Sequence, residues 1–276
     1  MGPAPTETGV EMKIMPSRQR LAGSGIAVAM ALVAIGGAHV LASSSPRHLA
    51  QSAAARQVQP RPRPKYDPQR FTTYVDNAWF PLKPGITYIY RGNKDGKRAR
   101  DVYRITNQTR TIDGVACRVV KDRLYLNGRL EEKTSDYYTQ DVDGNVWYFG
   151  EDTEELDAKG HVRNREGSWR TGKDGAQAGI FMQANPQVGD QFPQEFYRHH
   201  AEDHYQVLSL AGKITVPYGT FGRDKMKRNV ELTKEWTPLE PGVRDHKYYV
   251  RGIGEVKEKT VKGGHELAKL VKIIRR

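Results

Sequence analysis

Two patterns of hydrophobic and polar positions divide the chain. Between residues 21 and 42, LAGSGIAVAMALVAIGGAHVLA, apolar and small residues run on without a formally charged side chain. From Phe71 onward the apolar residues come in short alternating runs separated by Gly, Asn, Asp and Pro. A period of two marks strands, because successive side chains of an extended chain point to opposite faces. ITYIYR (86–91), DVYRIT (101–106), GVACRVVKDRLYL (114–126), RLEEKTSDYYTQD (129–141) and VWYFG (146–150) read this way. So do YQVLSL (205–210), KITVPYG (213–219), NVELTKEW (229–236), HKYYVRG (246–252), GEVKEKTV (254–261) and ELAKLVKII (266–274). Asn127-Gly128 suits a type I′ hairpin turn, since both residues tolerate positive φ. In the 229–236 run Val230, Leu232 and Trp236 share one face, and Glu231, Thr233 and Glu235 the other. That predicts a half-buried sheet with its polar side in water.

About ten strands joined by tight turns, with no amphipathic helix among them, predict an all-β fold. The expected form is an antiparallel meander making a sandwich or partial barrel, preceded by one N-terminal hydrophobic helix.

The apolar run at 21–42 follows Lys13, Arg18 and Arg20, the polarity of an export signal. Val40-Leu41-Ala42 offers small residues for cleavage before Ser43, whereas 22 uncharged residues also suffice to span a bilayer. Residues 1–42 therefore predict an export signal or an N-terminal membrane anchor. The protein is expected outside the cytoplasm, secreted or held to the membrane by 21–42. Acylation would need a cysteine just after the run, and the single cysteine is Cys117. Residues 43–68 are Pro- and Arg-rich and read as a disordered linker, leaving 69–276 as one β-rich domain.

One stretch interrupts the alternation. Residues 157–203 carry Gly, Asn, Asp and Pro, yet include Trp169, Ile180, Phe181, Met182, Phe192 and Phe196. A long irregular segment with apolar residues either caps the core with its own side chains or lies over the sheet as a lid. On the lid reading Trp169, Phe181 and Met182 contact an apolar or cell-wall-derived ligand.

The formal charge of +12 first suggests nucleic acid. Residues 1–65 hold eight Lys or Arg against two Asp or Glu, and residues 66–276 hold 36 against 30. Half of the excess is thus leader and linker. In the remainder the signs interleave, as in GEVKEKTVKGG, which reads as a salt-bridged surface without a concentrated field and predicts no nucleic-acid partner.

Candidate chemistry is sparse. YRHHAEDHYQV gathers His199, His200 and His204, weak candidates for metal ligands because the order matches no ligand spacing with a mechanism behind it. DVDGN (141–145) lacks the later glycine and bidentate glutamate of a calcium loop and reads as a hairpin turn. Cys117 lies in an apolar strand and reads as a buried structural thiol. No nucleophile elbow, phosphate-binding loop or dinucleotide fingerprint is present, so no catalytic residue and no cofactor is expected. Distant carboxylates could still converge as in a glycosidase. The sequence leaves oligomeric state open.

The phrases NAWFPLKPGITYIYRG (77–92), YYTQDVDGNVWYFGED (137–152), TVPYGTF (215–221) and KEWTPLEPGVRDHKYYVRGIGEVKE (234–258) resemble a family of uncharacterised exported bacterial proteins. The resemblance implies an extracytoplasmic β-rich domain and carries over no activity or site residue. The expected function is that of a non-enzymatic envelope protein binding an apolar or wall-derived ligand. The alternatives are a hydrolase of envelope polymers and a protein-interaction module built on a sheet edge.

Overall fold

A computed structural model of the chain describes residues 66–224 and 229–276. The predicted N-terminal helix, the leader and most of the linker lie outside the described residues. A short 3-10 turn (Pro68–Arg70) and strand β1 (Phe71–Thr72) lead into long strands β2 (Ile86–Lys94), β3 (Lys97–Ile112), β4 (Val115–Leu126), β5 (Arg129–Asp141) and β6 (Val146–Leu156). The stretch read as irregular contains β7 (Val162–Asn164), β8 (Trp169–Arg170), β9 (Gln177–Met182), β10 (Gln191–Pro193) and β11 (Glu195–Phe196). Then come β12 (His204–Ser209), β13 (Ile214–Val216), β14 (Gly219–Phe221), β15 (Val230–Trp236), β16 (Arg244–Val250), β17 (Gly254–Lys262) and β18 (Leu267–Arg275).

The described residues are all-β, and the long strands pair antiparallel in the order β10-β12-β15-β16-β17-β18-β2-β3-β4-β5-β6-β9-β11. The two ends of that list are one piece of chain. Gln191–Pro193 pairs with β12, Glu195 and Phe196 pair with β9, and the partner changes at Gln194. There the Gln194 N–H donates to the Asp203 carbonyl at 2.8 Å. The sheet therefore curls back on itself, and residues 191–196 form the seam of a nearly closed barrel. Gly179 makes the seam possible, because a Cβ there would lie 2.4 Å from the Pro193 carbonyl oxygen.

Local chemistry sets the hairpins. Asn127 (φ 50°) and Gly128 (φ 88°) form the predicted two-residue turn between β4 and β5. At the other end of β5, Asp141 Oδ1 accepts from the Asp143 and Asn145 N–H groups, and Oδ2 from the Trp147 indole at 2.8 Å. DVDGN is thus a hairpin turn tied by its own aspartate.

Residues 73–85, between β1 and β2, bury Val75, Trp79, Phe80 and Leu82 in the main core. The Phe80 ring meets Tyr103 on β3, Tyr138 on β5, Phe181 on β9 and Tyr249 on β16, at centroid distances of 4.5–6.5 Å. Strands so far apart in the sheet order can share one ring only if that ring is near the barrel axis. Asn77 pins the plug: its Oδ1 accepts from the Trp79 and Phe80 N–H groups, and its Nδ2 donates to the Gly144 and Gln183 carbonyls. A second, smaller cluster lies outside, where Tyr66 and Phe71 cover Phe149, Trp147, Val115 and Cys117.

Candidate functional site

Strand alternation has an unexpected result here. On β15 Glu231, Thr233 and Glu235 are buried, as is Val230 at the strand's start, while Leu232, Lys234 and Trp236 are only half-buried on the outside. The expected polarity of this strand is reversed: its acidic face points into the barrel. The neighbours do the same, with Asp245, Lys247 and Tyr249 inward on β16, Glu255 and Glu258 on β17, Asp101 on β3 and Asp122 on β4. Every Asp and Glu of β15–β18 and β2–β4 is buried. Among the described residues as a whole, fourteen carboxylates and two lysine ammonium groups are buried.

Burying that many like charges would be prohibitive were all of them ionised, so most must be neutral or paired. Burial is the first cause of the shifts, and neighbouring carboxylates add to it. Burial pushes Glu231 up to about 8, with Glu235 reinforcing the shift and Arg251 opposing it. Glu258 and Glu266 are pushed up to about 8 in the same way, against the opposing pull of Lys247 and Lys94 respectively. Asp101 and Asp122 lie side by side, both raised by burial, and one shared proton reconciles them. Lys247 is the exception that stays charged: burial alone would lower it, but Glu235 at 2.9 Å and Glu258 at 3.8 Å hold it well above the usual lysine range.

Apart from Lys94 and Lys247, the bases of the same strands point outward. Register places Tyr248 beside Lys257, Lys257 beside Lys269, Lys269 beside Arg91, Arg91 beside Arg100, and Arg100 beside Tyr125. Four cations thus form a ladder across four strands, bracketed by tyrosines. At a strand separation of about 4.8 Å the cations span roughly 14 Å. The end cations lie over their rings, Lys257 at 5.2 Å from the Tyr248 centroid and Arg100 at 4.1 Å from that of Tyr125. A parallel row sets Lys234 beside His246 and His246 beside Lys259. The field is felt by its members: partial burial, then Lys269 and Lys259, lower Lys257, and partial burial, then Lys234, Lys257 and Lys259, lower His246. On β15–β18 and β2–β4 the interleaved charges read from the sequence as a mixed surface are therefore segregated, acids inside and bases, Lys94 and Lys247 apart, outside.

The residues singled out in the sequence fall elsewhere. Phe181 and Met182 are on β9 and Trp169 on β8, all three buried in the main core. Phe181 packs on Phe80 at 4.5 Å and Tyr138 at 5.2 Å, and Trp169 on Tyr148 at 5.4 Å. His199 is exposed in a left-handed turn (φ 64°), His200 stacks on Tyr197 and His204 on Trp236. The three are thus divided among separate partners. Among the described residues no group of three His, Cys, Asp or Glu side chains is placed to hold a metal ion. Cys117 is fully buried, and burial raises its thiol far above the usual range, leaving it unreactive. Sequence reasoning missed the Phe80 plug and the ladder. Period-two assignment of every charge to a face was the signal that could have revealed the ladder.

No family model matches the chain, and no curated protein does. Two solved structures are similar to it. One is a candidate exported protein with a YmcC-like fold from Bacteroides fragilis, 14% identical, TM-score 0.39, covering 71% of this chain and 99% of that one. The other is a candidate lipoprotein from Parabacteroides distasonis, 10% identical, TM-score 0.36, covering 71% of this chain and 98% of that one.

Proposed function

We propose that this protein is a non-catalytic binding module of the cell envelope, exported by its N-terminal segment, that lays its basic outer face along a linear polyanion. The tyrosine-bracketed ladder carries this reading. Like charges placed directly opposite each other on a sheet destabilise it. No acid on those strands shares the face, so the missing counter-charge is left for a partner to supply. The aromatic brackets keep the end cations flat on the sheet, where a chain of phosphate, sulfate or carboxylate groups crossing the strands meets one cation about every 4.8 Å. Hydrolysis of a polymer would need its carboxyl pair in an open cleft, whereas Asp101 and Asp122 are 3% and 8% exposed inside the curled sheet.

Binding of the full chain to dextran sulfate, measured over a range of salt concentrations, tests the proposal. Four released counterions give a log–log slope of about −3. The Arg91→Gln, Lys269→Gln double variant should bind at least tenfold more weakly and roughly halve that slope. An unchanged slope, or tighter binding to duplex DNA than to the polysaccharide, would sink the proposal.

A further inference from the structure

The three most exposed large apolar side chains among the described residues are Tyr74 (69%), Val142 (63%) and Val188 (63%). Each sits on a different connection: Tyr74 after β1, Val142 between β5 and β6, and Val188 between β9 and β10. Topology brings the three connections to one end of the barrel, because the end of β5 lies beside the start of β6 and Val146 at that start is opposite Met182 at the end of β9. They are also laced together. Asn77 bridges the Gly144 and Gln183 carbonyls, the Ala184 N–H donates to Asn145 Oδ1 at 3.0 Å, and the Asp76 and Asn77 N–H groups donate to Gln140 Oε1. Three apolar tips on separate, mutually braced turns form a fixed rim. Val261, the next most exposed at 46%, lies at the opposite end of the sheet and belongs to no such rim.

The chain itself indicates what meets this rim. Tyr66, the first described residue, is held at the same end: its hydroxyl donates to Asp113 in the β3–β4 turn at 2.6 Å, and that turn neighbours the β5–β6 turn. Residues 43–65 therefore lead from the apolar run at 21–42 to this end and to no other. A flexible segment of that length spans roughly 25–30 Å, and an extended Pro-rich one roughly 70 Å. With 21–42 seated in a bilayer, the laced rim is the part of the barrel the tether brings closest to lipid.

We infer that the rim formed by Tyr74, Val142 and Val188 docks on a phospholipid bilayer, its tips entering the headgroup region while the barrel axis stands away from the membrane. The inference rests on the anchored reading of 21–42 and is independent of the ladder. Tyrosine suits such a position, with a ring that buries and a hydroxyl that stays wet, and valine adds apolar area with little rotamer freedom to lose.

The test uses the full chain reconstituted into uncharged phosphatidylcholine vesicles, so that the basic ladder has no anionic surface to meet. Tyr74→Cys, Val142→Cys, Val188→Cys, Val261→Cys and Lys259→Cys are made singly and labelled with an environment-sensitive fluorophore, Cys117 being buried and therefore spared. Labels at 74, 142 and 188 should be quenched by spin-labelled lipid at least threefold more than the label at 261. Equal quenching at all five sites would overturn the inference. Strongest quenching at 261 would reverse the orientation and overturn it as well. Strongest quenching at 259 would show that the ladder face meets lipid, which overturns the rim while leaving the dextran sulfate result to stand or fall alone.

Discussion

Glu231 occupies an inward position of β15 opposite Tyr249, and neither of its carboxyl oxygens has a hydrogen-bond partner among the described residues. Such a group stays buried by keeping its proton. Its folded value is raised to about 8 from an ordinary 4.5, so the folded state binds more protons than the unfolded one between those limits. The stability it contributes is whole below pH 4.5 and is lost as pH rises through about 8. A glutamine has the same shape and no proton to lose. Glu231→Gln should therefore match the parent in urea unfolding at pH 4.5 and exceed it by about 4 kcal/mol at pH 8. Coincident curves at pH 8 would mean that the carboxyl has found a partner in solution. Phe80 makes the complementary point at this scale: one aromatic ring packs against four strands, whereas a cross-strand pair joins two.

Among the elements, the seam at 191–196 is the weakest link in an otherwise continuous ladder of strands. β3 pairs with β4 along the whole 12-residue length of the latter, whereas β11 contributes two residues. Gly179 faces this seam, and any side chain there collides with the backbone of Pro193 and Gln194. Gly179→Ala should cost about 2–4 kcal/mol. Hydrogen exchange should show the cost locally, with faster exchange in 177–182 and 191–207 and none gained in the β3–β4 hairpin. Uniform acceleration across both regions would argue that the barrel opens only as a whole. The hairpins were legible beforehand because Asn127-Gly128 and Asp141–Asn145 solve a local geometric problem with local chemistry. The seam was not, because β7–β11 are short and lack alternation long enough to detect. What makes them strands is the edge they find, not their own pattern.

For the molecule as a whole, the raised carboxyls act together. Glu231, Glu258 and Glu266 all lose protons near pH 8, and each contributes stability at lower pH that fades on the way up. The melting temperature should therefore rise by several degrees between pH 8.5 and pH 5.5, and calorimetry across that range would expose a flat or opposite trend. All-β class and strand alternation were readable from apolar spacing. The orientation of the faces was not, since an alternating acidic and apolar strand fits two placements equally well. Leu232 and Trp236 argued for the wrong one, and only closure of the sheet around residues 73–85 decides it. Net charge misled for a related reason: summing along the chain averages over a period of two, and that period is where the segregation of Glu255 and Glu258 from Lys257 and Lys259 resides.

Segregation of this kind also guards the pairing of strands during folding. In most sheets a slip of one residue is penalised because it exposes apolar side chains. On β17 the same slip would drive Lys257 and Lys259 into the lumen and turn Glu258 out. A carboxylate can enter a dry interior at neutral pH by taking up a proton about 2.5 units above its ordinary value, whereas an ammonium must fall by more than 3 to do the same. On β17, protonation thus favours the observed register: its inward Glu258 can take a proton from solvent, whereas the slipped strand would have to strip one from a lysine.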